Sequence, residues 1–245
     1  MNEKEMKQIF PVKDSFFSQL GYDEGGVFCR KRDTWFSKMD SPEQDKFDLS
    51  DFPDFPQPEQ HHTIFSAIFI EGGLALFALV VGYFCGFSPA RTLSWSFGDV
   101  VAGFGATVPM LIMFVFLDRS TAPRFVRIQV LVKSFIRTFF GRCSNLQILL
   151  ICVLAGIGEE LFFRGLLQDG ITHGIGGTIG LFCGILISAM LFGFAHLITV
   201  TYGIIAFWIS IYFAAIFILS DNILVPILAH ALYDYCVIRF LLRRN

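Results

Sequence analysis

Residues 156–165, GIGEELFFRG, place Glu159, Glu160 and Arg164 inside a segment otherwise built of Ile, Leu, Phe and Gly. A soluble core rarely buries three such charges, and a bilayer penalises them more heavily. The composition decides which setting applies. With 54% hydrophobic and 16% charged residues and a mean hydropathy of +0.60, the chain is more apolar than an ordinary soluble domain. This is the composition of an integral membrane protein. A net charge of -2 gives no sign of a nucleic-acid partner, so the informative charges are those whose position can be read along the chain.

Working outward from 156–165, apolar runs of spanning length cover residues 63–86, 99–117, 146–168, 177–197, 200–220 and 222–242, roughly twenty residues being enough to cross the hydrocarbon. Between the second and third runs lies RFVRIQVLVKSFIRTFFGR, residues 124–142, in which Arg124, Arg127, Lys133, Arg137 and Arg142 alternate with apolar residues in a helical rhythm. That pattern suits an interfacial amphipathic helix on an anionic leaflet, and the alternative is a tilted helix packed among the others. The expected fold is an all-α, polytopic transmembrane helix bundle of about six spans plus one interfacial helix. Its parts are an extramembrane region and Pro-rich linker (1–62), two accessory spans (63–118), the basic amphipathic segment (119–145) and a four-helix core (146–242).

The first sixty or so residues are of another kind, with the basic run CRKRD at 29–33 and the proline-spaced DFPDFPQPEQ at 51–60. They contain no apolar signal-peptide core. Phe16, Phe17, Leu20, Trp35 and Phe36 would support a short amphipathic helix or a small packed element, and the region is a candidate surface for an unknown protein partner. Basic residues concentrate in this region, in 124–142 and in the C-terminal RFLLRRN, whereas 88–96, 169–177 and the turn at Asp221 contain a single Arg. The positive-inside rule then puts both termini in the cytoplasm, which requires an even number of spans. Cys85, Cys152, Cys183 and Cys236 sit in apolar stretches without CxxC spacing and read as buried small hydrophobes.

Ionisable residues are few in the last four spans, and their spacing pairs them. Glu160 and Arg164 are four apart on a helix with the acid first, and His230 and Asp234 have the same separation. Taken alone, Glu160 with Arg164 is a structural ion pair. Glu159 points about 100° away from Glu160 around the helix and has no local partner. A desolvated carboxylate near a histidine can take a proton from water, and His196, ending the fourth run, is the candidate. Read singly, His196 is equally a hydrogen-bonded helix-end residue. His61, His62 and His173 carry no such pattern. The first two spans contain only Glu71 and the flanking Asp99 and Asp118.

These residues also carry a resemblance. EELFFRG at 159–165 resembles the EExxxR motif of the CPBP family, the CAAX protease and bacteriocin-processing membrane proteases, also called Abi proteins. FGFAH at 192–196 and HALYD at 230–234 resemble that family's FxxxH and Hxxx(N/D) motifs, in the family's order. The lead NILVPILAHALYD, residues 222–234, is similar too, and the resemblance covers residues 145–242. It implies a type II CAAX prenyl endopeptidase-like intramembrane protease acting on membrane-associated or lipid-modified substrates. By the same resemblance Glu159 and His196 would activate water, His230 and Asp234 would stabilise the oxyanion, and Glu160 and Arg164 would organise the site. The CAAX-processing branch commonly has Asn where this chain has Asp234, and an Asp donates a hydrogen bond only when protonated.

No cofactor is needed for that chemistry, although Glu159, His196 and His230 form a His₂Glu set able to hold zinc. Two other readings compete with the protease: a non-catalytic scaffold or immunity-type protein, and a proton-coupled transporter, which the lack of internal repeats disfavours. The topology is directly testable. A reporter fused after Asn245 and one inserted near Thr121 are expected on the cytoplasmic face, and one in 169–177 on the opposite face. Disagreement between the first two would exclude six spans.

Overall fold

The computed structural model describes residues 60–243, and readings that fall on residues 1–59 lie outside the described part. The helices are α1 (Gln60–Phe84), α2 (Phe97–Asp118), α3 (Pro123–Phe140), α4 (Asn145–Glu160), α6 (Gly177–Ala195), α7 (Val200–Ser220) and α8 (Leu224–Arg243). α4 continues without interruption through a π-helical segment, Leu161–Asp169, into α5 (Gly170–Ile175). Six of these helices are long and apolar enough to cross a membrane, the continuous Asn145–Ile175 counting as one. The described chain is therefore an all-α polytopic bundle.

Local chemistry sets the boundaries. Ser144 and Gln147 form a capping box at the start of α4, and the side chains of Ser96 and Thr199 accept from the backbone N–H groups of Asp99 and Tyr202. Pro123 opens α3, where its missing N–H costs no hydrogen bond. The third span runs on to Ile175, where the sequence suggested an end at 168. Thr172 Oγ1 donates to the Gln168 carbonyl at 2.7 Å and His173 Nδ1 to that of Asp169 at 2.9 Å, so the glycine-rich stretch stays helical until Gly176 at φ 78°. α1 likewise begins at Gln60, inside the expected linker.

The outer faces remain apolar, with Phe69, Phe116 and Leu219 exposed by 73, 79 and 87%, as hydrocarbon contact requires. This corrects the cysteine reading: Cys152 is buried, Cys183 and Cys236 are half-buried and Cys85 is exposed. An apolar setting in a lipid-facing helix is not burial in protein.

α4 and its π-helical continuation occupy the centre, against α1, α6 and α8. Two glycines allow close approaches just before Glu159. A Cβ on Gly156 would lie 2.8 Å from the Ile227 carbonyl of α8, and one on Gly158 would overlap the Glu71 carbonyl of α1. The backbones of α8 and α1 are thus drawn onto α4 immediately before Glu159. At the opposite end, Arg91 pairs with Asp169, donating to Oδ1 at 2.7 Å. Asn222 Nδ2 donates to Ser94 and to Asp99 Oδ2, each at 2.9 Å, tying the loop before α2 to the α7–α8 turn.

Candidate active site

Glu160 and Arg164 are fully buried, and Arg164 Nε lies 3.1 Å from Glu160 Oε2. Arg164 Nη2 donates to Ser210 Oγ at 2.9 Å and to the Ser210 carbonyl at 3.1 Å, binding α7 to the central helix. Its guanidinium carbon sits 5.1 Å from the ring centres of both Phe192 and Phe213, a favourable contact for a desolvated cation. The wider π-helical turn brings residues four apart closer to eclipsed, so Glu160, Arg164 and Gln168 form one buried polar stripe. Ser188 Oγ donates to the Phe163 carbonyl at 2.7 Å within the same segment.

The same two phenylalanines hold the histidines. His196 stacks on Phe192 at 4.3 Å, and His230 on Phe213 at 5.1 Å. His230 Nδ1 donates to Glu160 Oε1 at 2.8 Å, and its Nε2 lies 3.5 Å from Asp234 Oδ2. Glu160 therefore serves both Arg164, one turn along its own helix, and His230, 70 residues away in sequence. His196 Nδ1 donates to the Phe192 carbonyl at 2.9 Å. In the neutral ring this leaves the Nε2 lone pair facing Glu159 Oε2, 3.8 Å away. Just past the end of α6, His196 is pushed below the ordinary imidazole value by burial, its hydrogen bond to Phe192 opposing the shift.

Glu159, His196, His230 and Asp234 line one cavity of about 550 Å³. Glu159 lies 14 residues beyond Asn145, about 21 Å along the helix at 1.5 Å per residue. The α6–α7 turn that carries His196 thus meets the continuous Asn145–Ile175 helix near its mid-length. The apolar face of α3, with Phe125, Ile128, Val132 and Ile136, lines the cavity beyond it, while Arg124 and Arg137 are exposed. As placed, Glu159, His196 and His230 do not converge as metal ligands. His230 turns both nitrogens toward carboxylates, and no group of three or more His, Cys, Asp or Glu among the described residues is arranged to hold a metal ion.

All six residues singled out in the three motifs meet around this cavity or in the buried pair beside it. Three contributors escaped the sequence. The Glu160–His230 bond and the Phe213–His230 stack join separate helices and leave no local pattern. Glu71 of α1 also lines the cavity. Its signal was available, since it is the only acidic or basic residue in Ile64–Phe84.

Carboxyl and imidazole groups thus meet around one cavity of a multi-pass helical bundle. Residues 142–236 match a family model described as type II CAAX prenyl endopeptidase Rce1-like. α1, α2 and α3 lie outside the match. No curated protein and no solved structure matches the chain significantly.

Replacing Arg164 by Ala leaves Glu160 buried without its main counter-charge. Loss of one partner from a buried pair costs about 3–5 kcal/mol, so Arg164→Ala is expected to lower the unfolding temperature in detergent sharply and to reduce expression. Wild-type thermal stability in that variant would show that the pair is dispensable.

Proposed function

We propose that the protein is an intramembrane endopeptidase that hydrolyses a peptide bond in a membrane-anchored or prenylated substrate by carboxylate- and imidazole-activated water. One observation carries the reading: inside the cavity, a buried Glu159 oxygen without a hydrogen-bond partner faces a lone-pair nitrogen of His196 across 3.8 Å. Two acceptors at that separation are too far apart to bond. They suit one water that donates a hydrogen to each over about 2.8 Å.

Such a water keeps a lone pair for a substrate carbonyl, and Glu159 takes the proton that attack releases. The oxyanion forms beside His230. With Nδ1–H committed to Glu160, only the imidazolium can also donate from Nε2, and the carboxylates of Glu160 and Asp234 flank that charge. Asp234, 3.5 Å from Nε2, orients the ring in this scheme. Glu160 and Arg164 hold the site without touching substrate. The scheme routes no step through a metal cofactor. Both termini face the cytoplasm, and the α3 side of the cavity faces the cytoplasmic leaflet.

Glu159→Gln should abolish cleavage of a farnesylated CaaX peptide by purified protein in liposomes while leaving thermal stability intact, because the Glu160–Arg164 pair remains. Activity within a few-fold of wild type would sink the assignment. Dialysis against a strong chelator should leave turnover unchanged, with less than stoichiometric zinc by elemental analysis. A stoichiometric metal whose removal stops the reaction would overturn the metal-free scheme.

A further inference from the structure

Glu71 is unexplained by the motifs. A lone carboxyl in an otherwise apolar span costs several kcal/mol unless it pairs or meets water, and α1 places this one in the cavity beside Glu159, His196, His230 and Asp234. The placement is enforced by the backbone, since the Glu71 carbonyl rests on Gly158, the residue before Glu159. Glu71 Oε2 is buried and has no hydrogen-bond partner among the described residues. Its charge couples to those of His230, Asp234 and Glu159.

Amide hydrolysis needs two proton transfers, and the Glu159–His196 pair accounts for one. The departing nitrogen must also receive a proton, because an amide anion is too poor a leaving group to depart unassisted. Two carboxyls in one poorly solvated cavity hold a single proton more cheaply than two charges, and such a pair divides base and acid work. Glu159 has the imidazole beside it, and Glu71 has no partner.

We propose that Glu71 is the general acid that protonates the leaving amine, a role that rests on the protease reading above. As the water oxygen bonds to the carbonyl carbon, Glu159 accepts one water proton. When the tetrahedral intermediate collapses, the C–N bond breaks, its electron pair stays on nitrogen and Glu71 Oε2 delivers its proton there. The products are a carboxylic acid and an amine. The proton now on Glu159 returns to Glu71 through the next water, restoring the starting state. An accessory helix outside the Rce1-like segment thereby completes the reaction centre.

The test uses the full-length protein in liposomes with a farnesylated CaaX peptide and its depsipeptide analogue, in which an ester replaces the scissile amide. An alkoxide leaves with far less help than an amide anion. Glu71→Gln is therefore expected to lower kcat on the amide by about 10²–10⁴-fold, the usual worth of a general acid, with KM little changed and ester turnover within a few-fold of wild type. Ester turnover also reports that the variant is folded. Equal losses on amide and ester, a loss confined to KM, or an unimpaired amide reaction would each overturn the role. Should Glu71→Gln unfold, Glu71→Asp decides by the same ratio: a lowered amide-to-ester ratio supports the acid, and an unchanged one removes it. Glu159→Gln, in contrast, should stop both reactions. Wild-type protein inert toward both substrates would overturn the protease reading, and this role with it.

Discussion

A guanidinium with no exposed surface sits at the middle of this bundle, and the surrounding structure follows from keeping it satisfied. Arg164 needs a counter-charge, hydrogen-bond acceptors and polarisable neighbours, because an isolated buried cation is untenable. Glu160, Ser210, Phe192 and Phe213 provide them from α4, α7 and α6. Each provider has a second task. Glu160 binds His230, Phe192 carries His196 and Phe213 carries His230. In contact order the assembly reads His196, Phe192, Arg164, Phe213, His230, so the histidines are positioned by the demands of the cation.

What the sequence revealed and what it hid divide along the range of the interaction. Glu160 with Arg164 and His230 with Asp234 are one helical turn apart, and their pairing could be read from spacing alone. Glu160 with His230 joins residues 70 apart and could not. The six spans were legible from length and hydropathy, whereas the continuation to Ile175 was not, since glycines 170 and 174 signal a loop and the Arg91–Asp169 pair that ties this stretch to another segment joins residues 78 apart. The π-helical turns have no compositional mark. Glu71 was visible as a lone charge, but its arrival beside Glu159 depends on how closely α1 can approach Gly158.

The cavity is a consequence of unequal reach. α4 extends well past Glu159 toward its start, while the α6–α7 turn stops at the level of Glu159, and α3 lines the space left between them. An apolar wall on one side and the side chains of Glu159, His196, His230 and Asp234 on the other bound one space. The exposed basic residues of α3 and the apolar residues that line the cavity belong to one short helix, so its two faces meet different surroundings.

The π-helical stretch from Leu161 to Asp169 fixes the phase between two anchored ends of one rod. Arg164 is held on α7, and five residues later Asp169 is held by Arg91. Removing one residue between them would rotate everything beyond it by about 100° relative to Glu160, so the anchors at the two ends could no longer be satisfied together. Single-residue length changes are usually absorbed in loops. Here the helix interior has a fixed residue count, and the turn at 119–122, which carries neither anchor, is the place for a length change instead.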